Sequence, residues 1–331
     1  MADIKVQKIK LLKIWEILNR KTDEHHPIST QDLIKELAQL GITCERRTVY
    51  ADIDSMQSFG YEIRNKRKGH DMVYWVEKRQ FDLPEIKIIM DAIQSSKFIP
   101  QKETEELINK LADLGGSART ELMKRNAIHF NTVKHSNGAI YEIVDSLEHA
   151  IENKKKVSFN YFLLNENGRR EYKYNNKLYI EEPLGMICDD GNYYLICYHN
   201  EKEYENNVKT FRIDRIDNVS VLDKSISNDG IKVLKKTVNY PKQAFKMYGG
   251  QLCKVTLCFN KELLGVIFDK FGEDTPIRQV KDKLITTVQV QISPTFWGWL
   301  MQFPESMRIV SPEEIKEKYR DWLMSGLEEM K

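Results

Sequence analysis

The chain has 331 residues, 41% hydrophobic and 30% charged, with a formal net charge of only +2 at pH 7. That length is enough for two or three domains, and the near-neutral balance excludes a polycation that coats nucleic acid along its whole length. No apolar run is long enough to cross a bilayer, and the five cysteines show no Cys-x-x-Cys pair and no zinc spacing, so reduced thiols, a cytoplasmic location and no metal or other cofactor are expected.

Within residues 1–80, Leu11, Ile14, Trp15 and Leu18 recur at helical spacing, which predicts an amphipathic helix from about Lys5 to Arg20. A polar stretch, Lys21 to Pro27, interrupts it. Ser29 or Thr30 can cap a second helix with Asp32 in its first turn and a stripe of Leu33, Leu37 and Leu40, stopped by Gly41. Thr43 is placed to cap a third helix that runs to about Ser58 and ends at Gly60. Val49, Ile53 and Met56 should face inward. Arg47, Tyr50, Ala51, Asp54 and Ser58 should face outward, with Arg46 at the border. Asp52 falls on the packed side, while His25 and His26 sit in an exposed loop. Two alternating runs, Tyr61–Ile63 and Val73–Val76, flank a basic connector from Arg64 to Asp71.

Three helices and a hairpin with a basic tip predict a winged helix-turn-helix. Its third helix enters the major groove of double-stranded DNA, and its wing touches the backbone or the minor groove. The candidate DNA-binding residues are Arg46, Arg47, Thr48 and Tyr50 on the helix, with Arg64, Lys66, Arg67 and Lys68 on the wing. Taken alone, the wing cations could equally be a solvated turn.

Residues 81–135 read as a helical connector. Pro84 suits a first helical turn, and Ile86, Ile89, Met90 and Ile93 form the apolar side. Pro100 separates this helix from one holding Leu107, Leu111 and Leu114. Gly115-Gly116-Ser117 interrupts that, and a third helix should run to about Asn126. Such narrow stripes are buried either within the chain or against a second copy, so a homodimer is expected.

In residues 136–230, Tyr141 to Glu152 reads as a helix with Ile143, Leu147, Ala150 and Ile151 on or near one face. Lys154, Lys155 and Lys156 then stand where cations favour a helix C-terminus. Val157, Phe159 and Tyr161 alternate as a strand, and Asn167-Gly168 supplies a turn. The run Glu182-Pro183-Leu184-Gly185-Met186-Ile187-Cys188 is separated from Tyr193-Tyr194-Leu195-Ile196-Cys197-Tyr198 by Asp189-Asp190-Gly191-Asn192, a hairpin signal. Phe211-Arg212-Ile213-Asp214-Arg215-Ile216 follows.

Together, Pro183-Leu184-Gly185, the turn, Tyr193-Tyr194-Leu195 and the Phe211–Ile216 segment resemble the WYL domain, with Tyr193 in place of the naming tryptophan. The resemblance implies an Sm-like, SH3-type small β-barrel. It also implies that the barrel senses an effector, a single-stranded nucleic-acid fragment or a nucleotide, and passes this to a DNA-binding domain. The segment Arg47 to Ile53 likewise resembles the recognition helix that precedes WYL domains, departing from it at Ala51. The candidate effector-binding residues are Tyr161, Tyr194, His199, Arg212 and Arg215, with Tyr193 and Tyr198 assigned to the core. On an ideal strand Arg212 and Arg215 would point to opposite faces, so sharing one ligand requires a bulge or bend between them. Alternatively, one of them pairs with Asp214 or another nearby acid.

In residues 231–331, Cys253, Val255, Leu257 and Phe259 alternate as a strand. Leu263, Leu264, Ile267 and Phe268 give a helical face closed by Gly272. A longer strand from Leu284 to Ile292 pairs with the run before Lys281. An aromatic helix with Phe296, Trp297 and Leu300, a strand from Met307 to Val310 and a last helix after Pro312 complete the order. That order, β-α-β-β-α-β, is ferredoxin-like and resembles the extension that follows WYL domains. Cys253 and Cys258 have opposite strand parity, which argues against a redox pair.

The expected fold class is therefore α+β and multidomain: winged helix-turn-helix, helical connector, Sm/SH3-like barrel and ferredoxin-like C-terminal domain. The expected function is effector-modulated transcription regulation without catalysis. No Ser-His-Asp grouping, glycine-rich phosphate loop, zincin helix or carboxylate cluster can be defended from the sequence, although active sites also assemble from distant residues. The rival readings are a metal-dependent nuclease and a regulator whose barrel is structural or partner-binding.

Overall fold

The computed structural model describes residues 2–116, 134–199, 208–234 and 249–329, with side chains from residue 9 onward apart from residue 234. The third connector helix expected before Asn126 lies outside the described residues. The architecture is mixed α/β with three antiparallel sheets, and the chain divides into two compact units, Met1–His135 and Ser136–Lys331. Among the described residues no helix is long and apolar enough to cross a membrane.

The first unit begins with α1 (Ala2–Lys21), β1 (Ile28–Ser29), α2 (Thr30–Gln39) and α3 (Arg46–Ser58). β2 (Ile63–Lys68), β3 (Asp71–Val76), α4 (Leu83–Ser95) and α5 (Gln101–Gly115) follow. Ser29 caps α2 as expected: its Oγ accepts the Asp32 N–H at 3.1 Å. Ile14, Leu18, Leu33, Leu37, Val49 and Ile53 are fully buried in one core, each contributing about 1.5–3 kcal/mol by leaving water.

Two expectations fail here. Leu40 is 52% exposed, because α2 ends one residue earlier and the chain turns there. Thr43 does not cap α3, which starts at Arg46 with Glu45 at the N-cap and no side-chain cap. Ile42 is buried in the core, and residues 42–45 between α2 and α3 take no regular secondary structure. The basic connector is itself strand, since β2 runs through Lys68 and only Gly69-His70 forms the turn. β3 lies between β1 and β2 in the sheet.

Arg79 ties this unit together. Its guanidinium donates to the carbonyls of Asn19 and Thr22 at the end of α1, and of Val76 at the end of β3. It also lies so close to Gly116 (φ +83°), which caps α5, that an added Cβ would come within 2.9 Å of it. α4 has Pro84 in its first turn and buries Ile86 and Met90. Leu107 and Leu111 of α5 are half-buried, and Ile88 and Leu114 are exposed.

The second unit starts with α6 (Ile140–Glu152), β4 (Lys155–Leu164), β5 (Arg170–Tyr172), β6 (Leu178–Asp189) and β7 (Asn192–Tyr198). β8 (Val208–Arg212), a 3-10 turn (Ile213–Arg215), β9 (Ile216–Ser225) and α7 (Asn228–Leu234) follow. The strands pair in the order β5-β4-β6-β7-β8, and β9 returns to pair with β4. Bulges along β4 and at Pro183–Gly185 let the strands curl. The expected hairpin turn is present, with Asp190 and Gly191 both at positive φ (47° and 72°). Lys155 and Lys156 belong to β4 rather than to a helix end, and they pair with Asp223 and Glu182.

Glu182 fastens the end of β9 to β6. One carboxylate oxygen meets Lys156 Nζ at 2.8 Å, and the other accepts the Ser227 N–H and O–H at 2.8 and 2.7 Å. Burial alone would raise the pKa of this carboxyl, but Lys156 and Ser227 hold it below its ordinary value. Glu182→Ala is expected to cost about 2 kcal/mol in denaturant unfolding at neutral pH. A carboxylate with a depressed folded pKa stabilises above its unfolded pKa, about 4.3 for Glu, and that stabilisation is lost as pH falls through the folded value. The gap between wild type and variant should accordingly narrow in acid.

The unit ends with β10 (Gln251–Phe259), a 3-10 turn (Lys261–Leu263), α8 (Leu264–Phe271), β11 (Ile277–Val280) and β12 (Lys283–Ile292). α9 (Pro294–Met301), β13 (Met307–Ser311) and α10 (Glu313–Glu328) follow. The sheet order is β11-β12-β10-β13, all antiparallel. One sheet face packs on Ile267, Phe296, Trp297, Leu300 and Ile315. Cys253 lies on that face and Cys258 on the other, and both are free thiols.

Candidate functional site

Because Val49, Ile53 and Met56 are in the core, the outward side of α3 presents Arg47, Thr48 and Ala51, all exposed. Arg46 is half-buried and 3.5 Å from Asp71. Tyr50 packs against the core, and the Thr48 hydroxyl donates back to the Glu45 carbonyl at 2.8 Å. Asp52 pairs with the buried Lys10 at 2.7 Å, a structural role that fixes α3 against α1. On the β2–β3 hairpin, Arg64 pairs with Glu77 at 2.6 Å, and Lys66 lies 5.5 Å from the centroid of the Trp75 ring. Arg67 and Lys68 are exposed. Among the described residues no ion pair holds Arg47, Arg67 or Lys68, so these three remain available to an anion.

In the six-stranded sheet, Tyr194 of β7 stands directly opposite Arg212 of β8. Arg212 donates to both carboxylate oxygens of Asp214, Nε at 3.0 Å and Nη2 at 2.9 Å. The Asp214 side chain is only 4% exposed. The Arg212 backbone N–H reaches Tyr161 Oη at 3.4 Å. Arg215 sits in the 3-10 turn, half-exposed and without an ion pair among the described residues. That turn removes the strand alternation, so the rule sending the two arginines to opposite faces does not apply. Asn137 pins the turn from beneath by donating to the carbonyls of Asp214 and Ile216, both at 3.2 Å. Burial raises the pKa of both Tyr161 and Tyr194, so each phenol stays neutral at neutral pH. The Arg212 N–H bonded to Tyr161, and after it the Arg215 charge, pull the other way at Tyr161, as the Arg212 charge does at Tyr194.

Three assignments change. Tyr194 is buried among Leu184, Ile196, Tyr198 and Val208, so it offers a ligand little surface. Tyr193, expected in the core, is half-buried on the opposite side of β7; Tyr198 is in the core as expected. His199 is not brought to the arginines, because it follows the far end of β7, about 16 Å along the strand from Tyr194. There its Nδ1 is 3.1 Å from Glu181, whose other oxygen is 3.6 Å from Lys209. Burial pushes the Glu181 carboxyl above the usual range, against the pull of Lys209 and His199. The Lys209 ammonium lies 4.9 Å from the Phe211 ring centroid and 5.2 Å from that of Tyr179. Glu181 and Lys209 carry no signal in the sequence beyond a carboxylate in an otherwise apolar run. Among the described residues no group of three or more His, Cys, Asp or Glu side chains could hold a metal ion.

Residues 142–221 match the WYL domain family. The chain contains a WYL domain. The match spans α6 to β9, and so includes Tyr161, the Arg212–Asp214 pair and Arg215. No curated protein matches the chain. Among solved structures, proteasome accessory factor B/C (PafBC) of Arthrobacter aurescens aligns at 15% identity and a TM-score of 0.29, over 97% of this chain and 48% of that one. This chain thus spans about half the length of PafBC. A CRISPR Cas-related protein aligns at 11% identity and a TM-score of 0.38, over 98% of this chain and 84% of that one. At these scores neither likeness fixes a fold or a function.

Proposed function

We propose that the protein is a DNA-binding transcription regulator whose operator binding is modulated by an anionic effector held at its WYL domain. Residues 1–80 act as a winged helix-turn-helix and the WYL domain as a small SH3-type barrel. The C-terminal strands and helices form a ferredoxin-like domain, and the working form is a homodimer. Several features support this reading: the exposed outer side of α3, the hairpin with Arg67 and Lys68 near its tip, and the return of β9 to β4.

The observation that carries the effector site is Arg215. It is a cation without an ion pair among the described residues, half-exposed, in the turn that directly follows Arg212, whose N–H meets the Tyr161 hydroxyl. An effector phosphate there would meet Arg215 directly and the Tyr161 hydroxyl beside it, while Asp214 keeps Arg212 rigid behind them. A short single strand or a nucleotide has the required anionic groups.

Arg215→Ala is expected to weaken binding of a fluorescent short oligodeoxynucleotide or a nucleotide about tenfold or more, the loss of one charge-assisted contact, without shifting the thermal melt. Duplex binding in the absence of effector should be unchanged. If effector affinity is the same in wild type and variant, the site lies elsewhere. Regulation without catalysis also requires that purified protein with a divalent metal leaves DNA uncut.

A further inference from the structure

The four-stranded C-terminal sheet has a second face that the regulator reading leaves unused. Strands β10, β11, β12 and β13 contain no aspartate or glutamate. Their register places Arg278 opposite Ile285, Ile285 opposite Cys258, and Cys258 opposite Arg308. Cross-strand partners share a face, so this row crosses the whole sheet with an arginine on each edge strand. Three strand spacings put the two about 14 Å apart. The neighbouring row pairs Thr256 with Thr287, their hydroxyls 3.0 Å apart, and the next pairs Lys254 with Gln289. Arg278, Arg308, Lys254, Thr287 and Gln289 are exposed.

Among the described residues Arg278, Arg308 and Lys254 make no ion pair. On the barrel, by contrast, Lys155, Lys156, Arg170, Lys209 and Arg212 are all matched to carboxylates. The closest acids in sequence, Asp274, Asp282 and Glu305, stand in turns outside the strands. Between the two arginines stand the half-buried Ile285 and the buried Cys258, and the hydroxyls and amide lie in the neighbouring rows; unmatched cations on such a face suit a chain of anions. Guanidinium forks hold phosphates bidentately. No aromatic side chain lies on the exposed rows, so bases cannot be stacked there. Val280 and Val310 are the exposed apolar side chains of β11 and β13, too small for the aromatic anchors of a protein interface.

We propose that this face binds the sugar–phosphate backbone of a nucleic-acid strand, without sequence preference. It is a surface separate from Arg215 and from the winged helix, and it does not depend on either being correctly assigned.

The test uses the full chain and a fluorescent oligothymidylate containing bromouracil. Ultraviolet cross-links should map to residues 251–259, 277–280, 283–292 and 307–311. Arg278→Ala with Arg308→Ala should weaken oligothymidylate binding about tenfold at low salt. The plot of log affinity against log salt should become shallower by about 1.4, two phosphate contacts at about 0.7 each on a single strand. The Arg278→Lys/Arg308→Lys pair should keep the wild-type slope, which a loss of folding would not allow. Arg215→Ala should retain the sheet cross-links, so failure of the effector assignment and failure of this one give different results. Cross-links confined to other segments, or an unchanged slope in the alanine pair, would overturn the proposal. The latter is also the outcome if the face takes an acidic protein instead.

Discussion

Arg212→Ala is expected to lower the unfolding free energy of the WYL domain by about 3–5 kcal/mol, the typical cost of stranding one partner of a buried ion pair. Asp214 is almost wholly buried and both its oxygens are occupied by the Arg212 guanidinium. Removing that guanidinium leaves a carboxylate with little water to replace it. Burial alone would make Arg212 easier to deprotonate, but Asp214 holds its pKa above the ordinary value, so the guanidinium stays charged. The double substitution Arg212→Ala/Asp214→Ala should be milder than Arg212→Ala alone, because no uncompensated charge remains. Denaturant titrations of the three variants, read at constant m, measure the coupling. A loss below about 1 kcal/mol for Arg212→Ala would mean that the pair behaves as a solvated surface bridge. Arg212 would then return to the status of a free effector ligand.

That result bears on how the sequence is to be read. The Phe211–Ile216 segment shows two arginines around an aspartate, and either arginine could have been the ligand. The deciding feature is the 3-10 turn at Ile213–Arg215, which folds Asp214 back onto Arg212 and turns Arg215 outward. No periodicity in the sequence announces it. The turn is held by Asn137, more than seventy residues earlier in the chain. The burial of Tyr194 and the distance of His199 from Arg212 escape the sequence for a related reason. Their positions along β7 are legible from the apolar run, but which face of β7 is covered, and how far His199 is carried from Arg212, depends on strands from elsewhere in the chain.

Elements whose signals are local were legible. α2 has its Ser29 cap, α4 its Pro84, the β6–β7 hairpin its Asp190-Gly191, and the last four strands their alternation. β1 was invisible because two residues carry no pattern, and the start of α3 was displaced because no side-chain cap marks it.

The second large effect is expected at the other unit. Arg47→Glu combined with Arg67→Glu should weaken binding to duplex DNA by about two orders of magnitude or more, since each charge-assisted contact is worth about 1.5–3 kcal/mol. Reversal adds repulsion to the loss. The two positions are the right pair because both are exposed and neither has an internal carboxylate to satisfy. By contrast, Arg46 and Arg64 are engaged with Asp71 and Glu77, so replacing them would also release an acid and confuse charge with structure. If Arg47 and Arg67 each neutralise one phosphate, replacing each with alanine should make the slope of log affinity against log salt shallower by about 0.9 per residue. If Arg47 instead reads a base edge, its substitution should relax the preference at one position by about 1–3 kcal/mol, while Arg67 weakens all sequences alike. Titration of specific and scrambled duplexes at several salt concentrations separates these outcomes. An affinity that neither substitution nor salt alters would place the duplex on some surface other than α3 and the β2–β3 hairpin.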